Sequence, residues 1–353
     1  MRPLGYGAAM LAAVALALSG CASLPRPTPE QLEAAKTIAY RAPPIDPKVA
    51  ERILALDPKH LSEHDVRDTL SKGPTPHVLL IHGGIYPVHL VMISFGRFLA
   101  GMGYPEDHVR DPGTQDWSLS PYEDSSHLAG MLAWYFEHDG VRPMIVGHSQ
   151  GGIQAVKVLR ELSGQFTPSL PVWNPLTGSA EDRVGVVDPL TGKDDAVVGG
   201  IKLSYVSVVG AGGAALMLPN QWSMIGRVRT VPDAVEDFTG FFIEGDTFAW
   251  TFSNPLGSDE YRHNGTAKVR NVVLPFNYNH VMVPDTDTLA RDRAIRDWIN
   301  AYVPGQDVDT STLPKDARDH VLWAADVWYS IKETWCREAQ RYIRARRGTT
   351  ASN

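Results

Sequence analysis

The segment Arg142-Pro143-Met144-Ile145-Val146 runs directly into Gly147-His148-Ser149-Gln150-Gly151-Gly152. A stretch with Ile153, Val156, Leu159 and Leu162 at helical spacing follows. A short apolar run followed by i, i+3 periodicity reads as strand, tight turn and helix. The glycines on either side of Ser149 permit a sharp turn and a close approach of helix to strand. Such a juncture needs a sheet for the strand to join and a layer for the helix to cover it, which favours an α/β architecture.

The same alternation recurs along the chain. The sheet is expected to begin at His77-Val78-Leu79-Leu80-Ile81, with a helix from about Leu90 to Met102 ending at Gly103. A strand-like His108-Val109-Arg110 and a helix from about Tyr122 to His138 precede the Ser149 turn. Strands are expected again at Leu203–Val209, Phe241–Ile243 and Val272–Leu274, with a closing helix from about Thr288 to Tyr302. Short apolar runs alternating with helices are the pattern of βαβ units and a mostly parallel sheet covered on both faces. Residues 48–71 read as helical, and no strand pair precedes Val78.

Two segments break the rhythm. Within 164–200, Trp173-Asn174-Pro175-Leu176-Thr177-Gly178 is echoed by Val187-Asp188-Pro189-Leu190-Thr191-Gly192. Each Asx-Pro…Gly unit is a turn by composition, so a β-rich insertion is expected, as a surface hairpin or a wall of the substrate cleft. Residues 211–236 carry Leu216, Met217, Leu218, Trp222 and Met224, too apolar for a plain loop, and read as core or lid. Beyond 305 a C-terminal helical extension spans 316–347. Val321, Ala324, Trp328, Ile331, Trp335 and Tyr342 form one stripe, and an arginine-rich end follows. That end suits a docked helix complementing its own dipole, or contact with anionic lipid heads.

The N-terminus carries an address. Arg2 followed by the apolar run Ala8–Leu18 is too short to span a bilayer and reads as a signal peptide over residues 1–20. Leu18-Ser19-Gly20-Cys21 resembles the bacterial lipobox, in which the cysteine receives the lipid. Residues 21–46, with Pro25, Pro27, Pro29, Pro43 and Pro44, suit an extended tether to the domain at 47–305. Of the two cysteines, Cys21 is then lipidated and Cys336 has no partner, so no internal disulfide is expected. Ala22 after Cys21 lacks the Asp that signals inner-membrane retention, which favours the outer membrane in a Gram-negative envelope. A net charge of −7 argues against nucleic acid as a partner.

A serine hydroxyl becomes a nucleophile when a base takes its proton, a third group orients the base, and amide donors hold the oxyanion. Gly147-x-Ser149-x-Gly151 in a strand–turn–helix setting is where such chemistry is found. From about His77 to Tyr302 the chain resembles the α/β-hydrolase superfamily, and within it lipases and esterases. The missing first two strands resemble its smaller, cutinase-like members. The resemblance implies one oxyanion donor at Gln150 and a second from His82-Gly83-Gly84, at Gly84 with Ile85 as the alternative. It also implies the order Ser, acid, His. Of the downstream histidines, His280 follows the last strand, whereas His263 precedes it and His320 lies in the terminal segment. Asp246 follows Phe241-Phe242-Ile243-Glu244-Gly245, with Glu244 its main rival and Asp285 or Asp287 weaker ones. No cofactor or metal is implied, and Asp182, Asp188, Asp194 and Asp195 match no calcium loop. The expected activity is hydrolysis of an ester or lipid substrate; acyl transfer, thioester cleavage and a non-catalytic envelope binding protein are the alternatives.

Overall fold

The computed structural model describes residues 45–249, 260–306 and 308–350. The expected signal peptide, Cys21 and nearly all of the expected tether lie outside the described residues. Five parallel strands form the central sheet: β1 (Val78–Ile81), β2 (Met144–His148), β3 (Leu203–Val209), β4 (Val235–Ile243) and β5 (Lys268–Leu274), in that spatial order. The longer helices that accompany them are α1 (Pro47–Ala55), α2 (Glu63–Asp68), α3 (Tyr86–Met102), α4 (Ser125–Asp139), α5 (Gln150–Leu162), α6 (Arg293–Ala301) and α7 (Val321–Thr350). Among the described residues no strand precedes β1, and no helix is long and apolar enough to cross a membrane.

Both faces of β1 and β2 are buried, which is why β1 and Met144–Val146 of β2 are apolar. Successive side chains point to opposite faces of a strand. Val78, Leu80, Met144 and Val146 accordingly join one core with α1, α3, α6 and α7, while Leu79, Ile81 and Ile145 join the other with α4 and α5. Between β1 and β2 the chain changes sides. After α3 it returns along the free edge of β1, where Leu119 bridges Ile81 in parallel and donates its N–H to Leu80 O. It then crosses to α4 on the opposite face. The carboxyl ends of β1 and β2 therefore flank a topological switch point, where open α/β sheets keep their crevice. His108-Val109-Arg110 is not the expected strand. Glu106–His108 is a 3-10 turn, held by Arg110 on Glu106 at 2.7 Å, and the chain meets the sheet edge only at Leu119.

β4 and β5 begin earlier than their apolar residues suggest, because the polar residues of their first halves are matched by α7. Arg337 of α7 pairs with Asp237 at 2.5 Å and Glu236 at 3.4 Å, and Asp326 pairs with Arg270 at 2.5 Å. Glu338, with its side chain 2% exposed, accepts from Arg142 at 2.6 Å and Arg341 at 2.8 Å. Arg347 reaches Glu51 at 2.7 Å. The arginine-rich end of the helix thus carries largely intrachain partners. Cys336, which reads as half-buried in sequence, is fully buried, and burial pushes its thiol up to about 12.

The insertion forms two antiparallel ladders, Trp173–Asn174 with Ser179–Ala180 and Gly185–Val187 with Asp194–Ala196. The sequence echo is a structural one. Asn174 and Asp188 each accept an amide two residues on, from Leu176 at 3.0 Å and Leu190 at 2.8 Å, and each closes its turn on the glycine four residues on. The insertion packs along α4, with Trp173 stacked on His127 and Arg183 paired with Glu137 at 2.6 Å. Residues 213–217 and 219–224 are 3-10 turns in which Leu216 and Met224 are core, as expected of a core segment, while Met217 and Trp222 are exposed.

The stripe of α7 closes one whole face. Trp335 is fully buried against Tyr104 and donates to Pro74 O at 3.0 Å. Trp335→Ala should therefore lower unfolding free energy by about 3–5 kcal/mol, as core Trp truncations do. Urea denaturation checks this, and a loss under about 1 kcal/mol would show that α7 does not anchor the sheet.

Candidate active site

The site lies at the carboxyl end of the sheet, over the switch point. Ser149 ends β2 with φ 55° and ψ −121°, a conformation L-residues rarely adopt and one held here by its surroundings. Its N–H donates to Val209 O at 2.8 Å, which ties the turn to the end of β3. A Cβ on Gly147 would stand 2.5 Å from Gly151 O, and one on Gly151 would run into the carbonyls of Ile81 and His82. Glycine at both places is what lets α5 start against the ends of β1 and β2. As N-terminal residue of α5, Gln150 has an amide N–H that no helical carbonyl can accept, at the positive end of the helix dipole.

Across the crevice, the turn at Gly245 after β4 delivers Asp246, and the loop after β5 delivers His280. His280 Nδ1 lies 2.6 Å from Asp246 Oδ2, and Nε2 lies 2.9 Å from Ser149 Oγ. With the proton on Nδ1, Nε2 accepts from the serine hydroxyl. The other carboxylate oxygen of Asp246 accepts the amides of Phe248 at 2.9 Å and Ala249 at 3.3 Å. Burial opposes ionisation of Asp246, but the hydrogen bond and charge of His280 and these two amides outweigh it, so its carboxyl sits below the ordinary value. The side chains of His280 and Asp246 are only 11% and 4% exposed, so the hydrogen bond between them is shielded from solvent.

The structure separates the rival residues from this cluster. Glu244 is exposed, and its backbone continues the ladder to Leu274. Asp287 pairs with Arg291 at 2.5 Å. His263 is exposed and turned to Gly265 O at 2.6 Å, and His320 lies just before α7. Asp285 donates its amide to Met282 O and takes no part in the contacts of His280.

The loop after β1 is positioned by its carbonyls. His82 Nδ1 lies 2.6 Å from Gly83 O, and the Tyr122 hydroxyl donates to Gly84 O at 3.0 Å. In a trans peptide the N–H points away from the carbonyl, so these two bonds aim the amides of Gly84 and Ile85 in the opposite direction. A Cβ on Gly83 would stand 3.0 Å from Ser149 Cβ, and one on Gly84 would strike the Gln150 side chain. The loop that holds Gly84 is thus in contact with the turn at Ser149. Among the described residues no three or more His, Cys, Asp or Glu side chains converge as metal ligands would.

Three contributors are not evident from the sequence motifs. His148 is fully buried beside His280, Tyr122 orients the β1 loop, and Gly210 underlies the histidine. Gly210 has φ +62°, and a Cβ there would stand 2.8 Å from His280 Cε1 and 3.0 Å from Nδ1. The glycine cluster Gly210-Ala211-Gly212-Gly213 directly after β3 is the signal that could have found it. No family model and no curated protein matches this chain.

Gly210→Ala should displace the His280 ring while costing only about 1–3 kcal/mol of backbone strain. The far-downfield proton resonance expected from so short an N–H···carboxylate bond should disappear in the variant. Its persistence at wild-type position would show that His280 does not depend on Gly210.

Proposed function

We propose that this chain is a serine hydrolase of the α/β-hydrolase fold that cleaves carboxylic esters with an apolar acyl part. The observation that carries the reading is the continuous chain Ser149 Oγ, His280 Nε2, His280 Nδ1, Asp246 Oδ2, at 2.9 Å and 2.6 Å, on a strained strand-to-helix turn. Nucleophile after β2, acid after β4 and base after β5 is the order that this fold uses. The single Leu119 bridge at the edge of β1 is consistent with a shortened sheet of that kind.

In this mechanism Ser149 Oγ attacks the ester carbonyl as its proton passes to His280 Nε2. Asp246 stabilises the resulting imidazolium and keeps the Nδ1 proton facing it. The amides of Gln150 and Gly84 hold the tetrahedral oxyanion, and their preset orientation costs nothing at the moment of reaction. His280 then returns its proton to the leaving alcohol, and the acyl group remains on Ser149. Water, deprotonated by the same imidazole, releases the acid.

An apolar acyl group is supported by what surrounds the crevice. Ile85 and Tyr86 follow Gly84, and the Phe248 ring is centred 5.4 Å from that of His280. Phe276 packs toward Gly245, and Trp222 and Met217 lie on the 3-10 segment that Gln221 ties to Pro121, next to Tyr122. All are exposed. Large apolar side chains gathered around one opening are the usual mark of an apolar ligand. An intact triad geometry speaks against a purely binding role.

The address is proposed from the sequence. Export by the signal peptide, lipidation of Cys21 and a proline-rich tether would hold the enzyme at a membrane of the cell envelope, the outer one in a Gram-negative host. Since the cations of α7 have intrachain partners, Cys21 is the proposed membrane contact.

Ser149→Ala should lower turnover of p-nitrophenyl esters by at least about 10⁴-fold. In the wild type, kcat/KM should rise from acetate to octanoate as added methylenes are buried. Undiminished turnover in the variant would remove Ser149 as nucleophile, and a preference for acetate would remove the apolar acyl site.

A further inference from the structure

His148 precedes the nucleophile, and its side chain does not face the crevice. It is fully buried, and its Nε2 lies 2.6 Å from the backbone oxygen of His280. Its Nδ1 has no hydrogen-bond partner. The proton therefore sits on Nε2, because the opposite tautomer would set a nitrogen lone pair against a carbonyl lone pair at this distance. Two consecutive residues of the nucleophile turn thus grip one residue of the base loop. The side chain of His148 holds the main-chain carbonyl of His280, and the hydroxyl of Ser149 meets its ring at 2.9 Å.

Besides the bond of its ring to Asp246 and that of Asn277 to Asp319 at 2.7 Å, the loop carrying His280 has two anchors beside the histidine. The Tyr278 hydroxyl accepts the Leu322 amide at 2.9 Å, and Asn279 Oδ1 accepts the amides of Val281 at 2.9 Å and Met282 at 3.3 Å. The first attaches the loop to α7 and the second is internal to the loop, so neither fixes it relative to Ser149. We infer that His148 is a positioning residue that sets the distance and angle between Ser149 and His280 through its Nε2–H···O=C bond, resting on the reading of Ser149 as nucleophile. Its effect falls on the reaction and not on substrate binding, because it touches neither the crevice nor the apolar residues around it.

His148 must stay uncharged to act this way. Its ring centroid is 5.4 Å from that of His280, so a second cation would oppose the imidazolium formed during attack. The titratable groups facing it are His280, Asp246 and His82. Burial first, then the charge of His280, push the His148 imidazole down to about 3, despite the carbonyl that favours its protonated form. It therefore carries no charge through the range in which His280 works.

The test compares three variants of the full chain. Gln places its amide nitrogen near the position of His Nε2, Asn falls short of it, and Leu removes the donor. His148→Gln should keep kcat within about threefold of wild type. His148→Asn and His148→Leu should lower kcat about 10- to 100-fold, the range a misplacement of this order costs. KM should stay within about twofold in all three, and the rate of Ser149 labelling by a fluorophosphonate should fall in parallel with kcat. The acid limb of the pH–rate profile should coincide in wild type and His148→Gln, since the residue removed does not titrate there. Wild-type kcat in folded His148→Asn or His148→Leu would overturn the inference. So would a His148→Gln no better than His148→Asn, or an acid limb displaced in His148→Gln. Loss of labelling at Ser149 in the wild type itself would instead overturn the proposed function.

Discussion

The turn at Ser149 is possible only because α5 starts hard against the ends of β1 and β2. Side chains at Gly147 and Gly151 would collide with backbone, at Gly151 O in one case and at the carbonyls of Ile81 and His82 in the other. That closeness forces Ser149 into φ 55° and lifts its hydroxyl off the sheet. It also brings the free N–H at the start of α5 beside the Gly83-Gly84 loop, so the Ser149 hydroxyl and these amides are placed by one packing event. The strain is held in place by the bond from Ser149 N–H to Val209 O and by continuous apolar layers on both faces of β2.

Everything else in the site is brought to that turn from the neighbouring strands. Asp246 and His280 stand on loops after β4 and β5, and the two meet over Gly210, where a side chain would occupy the place of the ring. The strands beneath these loops are braced by α7, whose acids and arginines pair with the first halves of β4 and β5, and its Leu322 amide donates to Tyr278 in the His280 loop. A helix remote from Ser149 in sequence therefore braces the strands and one of the loops that carry Asp246 and His280.

Much of this was legible in the amino-acid order, and the exceptions have physical causes. Strands β1, β2 and β3 are buried on both faces, so they read as mainly apolar runs, interrupted only by small or buried polar residues such as Ser204, Ser207 and His148. The first halves of β4 and β5 contain Glu236, Asp237, Lys268 and Arg270, and only the distant arginines and acids of α7 reveal why those residues belong in a sheet. His108-Val109-Arg110 carries the composition of a strand, yet no ladder partner is in reach, and the edge position goes to Leu119. In the site, chain order distinguishes His280 from His263 and His320, because order along the chain fixes which strand end a loop leaves. Asp246 and Glu244 are only two residues apart, and it is the turn at Gly245 that gives one to the histidine and the other to solvent. His148 acts on a backbone carbonyl, which leaves no signature in residue type, and Gly210 is marked only by the glycine cluster after β3.

The most direct test of the account is the crystal structure of the protein after reaction with an alkyl phosphonate. The expected result is phosphorus bonded to Ser149 Oγ, one phosphonyl oxygen within hydrogen-bond distance of the Gln150 and Gly84 amides, and the alkyl chain among the apolar residues beside Phe248. Phosphorus on any other residue, or an oxygen directed away from both amides, would contradict it.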